Sequence, residues 1–247
     1  MRPLENRLAL VTGASSGIGA ATARALTAAG ARVLLAARRR ERLESLAREL
    51  PGSQVVVLDV RDATAVRAAL EPHAIDVAVA NAGLALGTEP VQQGDPEDWS
   101  VVLDTNVKGV LHVVRAVAPK MVERGRGDLV LLGSVAGRQV YPGGNVYCAS
   151  KFAVRALYEG LRLDLAGKGV RVTTVDPGLV ETEFSEVRFK GDVERARRVY
   201  AGVRCLRTAD VADAILYAVT RPDHVNVGEI VLWPTDQAST TIVKRAR

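Results

Sequence analysis

The chain has 247 residues, 48% of them hydrophobic and 25% charged, which is enough for the core of one α/β domain and too apolar for extended disorder. Its net charge of +5 is dispersed through mixed runs such as Arg38-Arg39-Arg40-Glu41-Arg42-Leu43-Glu44, and only 4% of residues are aromatic, so a nucleic-acid-binding face is not expected. No apolar run nears the ~20 residues of a membrane span, the first residues lack a secretory pattern, and Cys148 and Cys205 suit free thiols, so a cytoplasmic chain without disulfides, membrane contact or a metal site is expected.

Residues 8–12 (Leu-Ala-Leu-Val-Thr) read as a buried strand. Gly13-Ala14-Ser15-Ser16-Gly17-Ile18-Gly19 follows, then an Ala-rich helical pattern to residue 29 with Gly30 as its stop, and a second strand over 32–37. Strand, glycine turn, helix and strand make the dinucleotide-binding unit. The glycines let the backbone approach a pyrophosphate, and the helix N-terminus offers unpaired N–H groups to that anion. The second strand ends in Ala36-Ala37-Arg38-Arg39, with no acid to repel a ribose 2′-phosphate, so NADP is predicted over NAD. Arg38 is the main expected contact and Arg39 a second, although both could simply open the helix expected over 39–50.

A third strand is predicted over 54–58, ending in Asp59-Val60, where a carboxylate can reach an adenine amino group; Asp62 better suits the cap of the next helix. A fourth strand over 76–80 ends in Asn81-Ala82-Gly83, whose small side chains would let a cofactor lie across the strand ends. His73 reads as surface. Residues 99–122 are helix-periodic, but Asn106 inside them competes for backbone hydrogen bonds, which predicts a kink or a bound water. Lys108 should face solvent, and His112 should be a core or interface histidine.

A fifth strand over 128–133 places Ser134 at its C-terminal end, toward the cofactor cleft. Tyr141-Pro142-Gly143-Gly144-Asn145 is a loop, with Asn145 the expected cap of a helix beginning near Tyr147-Cys148-Ala149-Ser150-Lys151. Residues four apart share a helix face, so Tyr147 and Lys151 should lie side by side, the ammonium lowering the phenol's pKa toward a usable general acid/base. A sixth strand over 171–175 closes with Asp176-Pro177-Gly178. Residues 179–206 have weak periodicity and many charges and read as a lid. A helix opens at Thr208, and 229–232 is a last strand. Seven strands alternating with helices predict one domain over 1–247, an α/β fold with a doubly wound parallel sheet.

Taken together, these motifs resemble one family, the short-chain dehydrogenase/reductases, over almost the whole chain. Its glycine motif matches residues 12–19, its Asn-Ala-Gly matches Asn81-Ala82-Gly83, its tetrad matches Asn106, Ser134, Tyr147 and Lys151, and its Pro-Gly matches Pro177-Gly178. The resemblance implies a single-domain Rossmann fold with NADP(H) bound by Gly13, Ser15, Ser16, Gly17, Ile18, Gly19, Arg38, Arg39, Asp59, Val60, Asn81, Ala82, Gly83, Tyr147, Lys151, Pro177, Gly178 and Thr182. It implies that Tyr147 exchanges a proton with the substrate oxygen, that Ser134 hydrogen-bonds that oxygen, and that Lys151 tunes Tyr147 and holds the nicotinamide ribose. Asn106 would bind a water linking Lys151 to solvent. A homotetramer built through the two long helices is also implied.

Residues 82–87, 97–99, 143–147, 177–184, 187–192 and 224–226 are similar to the branch acting on 3-hydroxy acids with NADP. That similarity implies substrates such as serine, allo-threonine or 3-hydroxypropionate, the last giving malonic semialdehyde. Ala80 replaces that branch's usual Asn, and the tail after Gln237 departs from it. Arg188 or Lys190 on the lid would hold the substrate carboxylate. The alternatives are the same chemistry on another ketone or aldehyde, and a non-catalytic NADP-binding regulator.

Overall fold

The structure, a computed structural model, describes residues 3–246. Its centre is a seven-stranded sheet: β1 (Leu8–Thr12), β2 (Arg32–Ala37), β3 (Gln54–Val57), β4 (Val77–Ala80), β5 (Gly127–Leu132), β6 (Val170–Pro177) and β7 (Glu229–Leu232). Every pairing is parallel and the strands lie in the order β3-β2-β1-β4-β5-β6-β7. The chain winds outward from β1 to β3 and then crosses to β4. The β1/β4 boundary is therefore the switch point at whose C-terminal edge a crevice opens.

Period-2 alternation divides the core between the two faces. Ala9, Val11, Val33 and Leu35 point to one side with Leu26, Leu43 and Ile215; Leu10, Leu34, Ala36 and Ala78 point to the other with Leu70, Met121 and Tyr158. The first side is covered by α1 (Gly17–Ala28), α2 (Arg40–Glu49) and α9 (Thr208–Val219), and the second by α3 (Ala63–Leu70), α5 (Gly109–Glu123) and α6 (Asn145–Asp164). Fully burying a Leu of this kind is worth about 1.5–3 kcal/mol.

The predicted helix over 99–122 is three pieces. It starts earlier, as α4 (Pro96–Leu103), because Asp95 caps the Glu97 N–H at 3.0 Å and Pro96 fills the first turn. The kink expected at Asn106 is a π-helical turn over Asp104–Lys108, which leads into α5. Asn145 is not the cap of α6 but its first residue; Gly144 takes the cap position without a side-chain bond. Arg39 likewise lies outside α2, as its cap residue. Asp62 caps α3 as expected, its Oδ1 accepting from Thr64 and Ala65 N–H at 3.0 and 2.9 Å. Asp62→Ala should cost about 1 kcal/mol, lowering Tm by about 2–4 °C in a thermal melt. Between β6 and α9 lie two short helices, α7 (Phe184–Arg188) and α8 (Val193–Tyr200). No helix among the described residues is long and apolar enough to cross a membrane.

Candidate active site

The C-terminal edge of the sheet opens into a cleft of about 550 Å³, bordered by Gly13, Arg38, Ser134, Tyr147, Lys151 and Arg188 among others. At its floor, Thr12 locks the switch point: its hydroxyl accepts from Asn81 and Ala82 N–H, each at 3.0 Å, and the Asn81 amide donates to Thr12 O at 2.8 Å. Gly13 has φ +67°, and a Cβ on Gly19 would lie 2.3 Å from Gly13 O, so only glycine closes this loop. Ser16 precedes α1 without a side-chain cap, and the first turn holds no acid, which leaves N–H groups facing the cleft. Thr182 packs its methyl against Gly17. Ile18 packs on the core, Gly83 lies against the Asn106 amide, and Ser15, Val60, Ala82, Pro177 and Gly178 also border the cleft.

At the outer end, Arg38 is exposed along the cleft wall. Arg39 reaches back to the glycine loop, with Nη2 2.8 Å from the Ser16 hydroxyl and 3.1 Å from that of Ser15. Asp59 is held by Arg61, whose Nη2 lies at 2.7 Å, and this hydrogen-bonded pairing keeps its carboxyl below the usual range. An anion-accepting helix start beside a glycine-made cradle, with two guanidiniums a strand away, suits a phosphorylated dinucleotide.

The other end carries the proton chemistry. Lys151 is buried, with Nζ 2.8 Å from Leu132 O and 5.9 Å from the centre of the Tyr147 ring. Burial pushes its ammonium down to about 8, against the opposing field of Asp176. Tyr147 is pushed above its ordinary value by burial, reinforced by Tyr141. The Ser134 hydroxyl and the Arg188 charge pull it the other way. The depression expected from Lys151 is not found: its desolvated ammonium is turned to Leu132 O, and Ser134 and Arg188 are the groups that lower the phenol. Ser134 is in extended backbone at the end of β5, its hydroxyl accepting from Ala136 N–H at 3.1 Å. Asn106, buried in the π turn, clamps Leu84 through both its amide groups, at 2.9 and 2.8 Å, and also donates to the Ser150 hydroxyl. Its role in the fold is to anchor the chain after β4.

The structure separates the two lid cations. Arg188 lies over both Tyr147 and Tyr141, 5.9 and 5.4 Å from their ring centres. Its Nε donates to Gly87 O at 3.1 Å and Nη1 to the Tyr141 hydroxyl at 2.9 Å, while Nη2 is buried with no partner among the described residues. Lys190 instead points outward and pairs with Asp98 at 2.8 Å, away from the cleft. The tail beyond Gln237 borders the cleft through Thr240, Val243 and Arg245, and so do Tyr141 and Glu183, which are not among the site residues expected from the sequence. Tyr141 sits in a Pro-Gly loop with no periodic signal. In the tail, Thr240 bonds Val140 O at 3.0 Å and Arg245 bonds Val199 O at 3.1 Å. His73 is partly exposed, in the turn between α3 and β4. Lys108 is exposed, and His112 is half-buried against Val60 O.

The family profile described as short chain dehydrogenase matches residues 7–192. The chain belongs to the short-chain dehydrogenases. An NADP-dependent 3-hydroxy acid dehydrogenase of Salmonella typhi is 45% identical over 239 residues, covering 94% of this chain and 96% of its own. A sulfoacetaldehyde reductase of Chromohalobacter salexigens is 46% identical over 240 residues, covering 94% and 95%. Among solved structures, the closed form of a serine dehydrogenase complexed with NADP+ superposes with a TM-score of 0.93 at 42% identity, over 97% of this short-chain dehydrogenase and 100% of that chain.

Proposed function

We propose that the chain is an NADP-dependent dehydrogenase/reductase of small hydroxy or carbonyl compounds that carry an anionic group, foremost 3-hydroxy acids and 3-hydroxy amino acids. The observation that carries this reading is the unpartnered, buried Nη2 of Arg188 beside Tyr147. A cation held there by Gly87 and Tyr141 and lacking a third partner invites a carboxylate. The 3-hydroxy acid and serine dehydrogenases among its relatives support that substrate class, and the sulfoacetaldehyde reductase fits the same guanidinium with a sulfonate.

Bound NADP(H) supplies hydride exchange at its nicotinamide. Tyr147 gives the proton to a carbonyl oxygen or takes it from an alcohol, and Ser134 hydrogen-bonds the same oxygen. Lys151, fixed by Leu132 O, supplies positive charge below its pKa of about 8 and binds the nicotinamide ribose. Asn106 holds the chain at Leu84 in place. Arg188, rather than Lys190, binds the substrate anion. Arg38 and Arg39 hold the 2′-phosphate, the glycine loop and α1 the pyrophosphate, Asp59 and Val60 the adenine, and Asn81, Ala82, Gly83, Pro177, Gly178 and Thr182 the remaining wall. Residues 179–206 serve as a lid. The chain works in the cytoplasm as a homotetramer joined through α5 and α6; their exposed Leu111, Phe152 and Leu163 support an interface there. Turnover of 3-hydroxy acids with NADP+ tests the reading. Arg38→Asp should reverse the NADP+/NAD+ preference in kcat/KM, and an unchanged ratio would remove Arg38 from the assignment.

A further inference from the structure

Glu183, immediately before α7, reaches across the mouth of the cleft to the start of α2. It takes a guanidinium on each carboxylate oxygen: Arg39 Nη1 at 3.0 Å on Oε2, and Arg42 on Oε1. The Nε and Nη2 donors of Arg39 go to Ser15 and Ser16 of the glycine loop. The Arg42 hydrogen bond, reinforced by Arg39, keeps the Glu183 carboxyl below the usual range, so it is ionised at neutral pH. An anion of the chain's own therefore sits on a guanidinium that lines the cofactor end of the cleft.

We propose that Glu183 is a specificity-determining residue that competes with the ribose 2′-phosphate of NADP for Arg39, with Arg42 as the cation to which it retreats. The proposal rests on the assignment of the 2′-phosphate to Arg38 and Arg39. Two anions on one guanidinium repel each other, and the carboxylate lowers the positive potential that a dianionic phosphate meets. A counter-cation of its own lets Glu183 stay ionised when it gives up Arg39. Discrimination for NADP is thus held below the value that the arginines alone would give. All three side chains are partly exposed, so the effect is modest and screened by salt.

The test is calorimetric titration with two probes, 2′,5′-ADP and 5′-AMP, which differ in the 2′-phosphate alone. Glu183→Gln should bind 2′,5′-ADP about 3- to 10-fold more tightly at low salt, less so at high salt, with 5′-AMP unchanged. Arg42→Gln should weaken 2′,5′-ADP, because it leaves Glu183 wholly on Arg39, and the double variant should recover the Glu183→Gln affinity. Circular dichroism confirms that each variant is folded. A purely structural role would move both probes together. Equal changes for the two probes, or unchanged or weaker binding of 2′,5′-ADP by Glu183→Gln, would overturn the proposal. If the parent protein prefers 2′,5′-ADP and the variant does not differ, the competition fails while the NADP reading stands. If the parent does not distinguish the probes, both fail.

Discussion

Replacing Tyr147 by Phe should lower kcat by about 10²–10⁴-fold in both directions, the usual worth of a positioned acid/base, while NADPH binding is retained. The change deletes one oxygen and keeps the ring against Phe184, 5.4 Å away, so packing survives. The pH dependence follows from the same environment. Burial raises the Tyr147 pKa, so the phenol keeps its proton through neutral pH and is ready to donate in reduction. In oxidation it must first lose that proton, so oxidative kcat/KM should climb with pH, whereas the Tyr147 proton leaves reductive kcat/KM level through neutral pH. Lys151 carries its positive charge below about 8 and loses it above, weakening its hold on the nicotinamide ribose as pH rises. The oxidative curve should therefore flatten rather than rise without limit. Steady-state rates of the parent and Tyr147→Phe across pH check this. A variant that keeps most of its activity, or keeps the pH slope, would remove Tyr147 from the proton transfer.

Arg188→Ala should raise KM for carboxylate-bearing substrates about 30-fold or more, since truncating one partner of a buried charge pair costs at least ~2 kcal/mol. A carboxylate-free alcohol should lose far less. Arg188 also favours ionised Tyr147 across 5.9 Å, so its removal should push the oxidative pH curve to higher pH for every substrate. Arg188→Lys should recover only part of the loss: a point charge replaces a fork whose other arms are fixed on Gly87 O and the Tyr141 hydroxyl. Equal losses on charged and uncharged substrates would mean that Arg188 shapes the cleft without reading the anion. Lys190→Ala, which breaks a surface pair with Asp98, should leave both KM values unchanged.

The sheet was legible because most of its strands are short, largely apolar runs, several of them ended by Gly or Asn, as at Thr12-Gly13, Ala80-Asn81 and Leu132-Gly133. The glycine loop and the Tyr147/Lys151 spacing could be placed on the cleft for the same reason, since they follow directly from strand ends and helix period. Contacts between distant segments were not legible. Nothing near Glu183 announces its bond to Arg42, 141 residues away. Arg188 and Lys190 look equivalent in sequence. The turn after α7 puts one inside and the other outside, with Lys190 itself at φ +52°. The energetic sign at Tyr147 was also out of reach: helix spacing brings Lys151 near, but burial of the phenol sets the direction of its shift.

The most direct test of an anion-reading NADP enzyme is kcat/KM for a matched pair of alcohols, 3-hydroxybutyrate and 2-butanol, followed by NADPH absorbance with NADP+ or NAD+. Turnover is expected with NADP+, with 3-hydroxybutyrate favoured by at least about 30-fold, the worth of the Arg188 contact. Equal kcat/KM for the two alcohols, or a preference for NAD+, would contradict it.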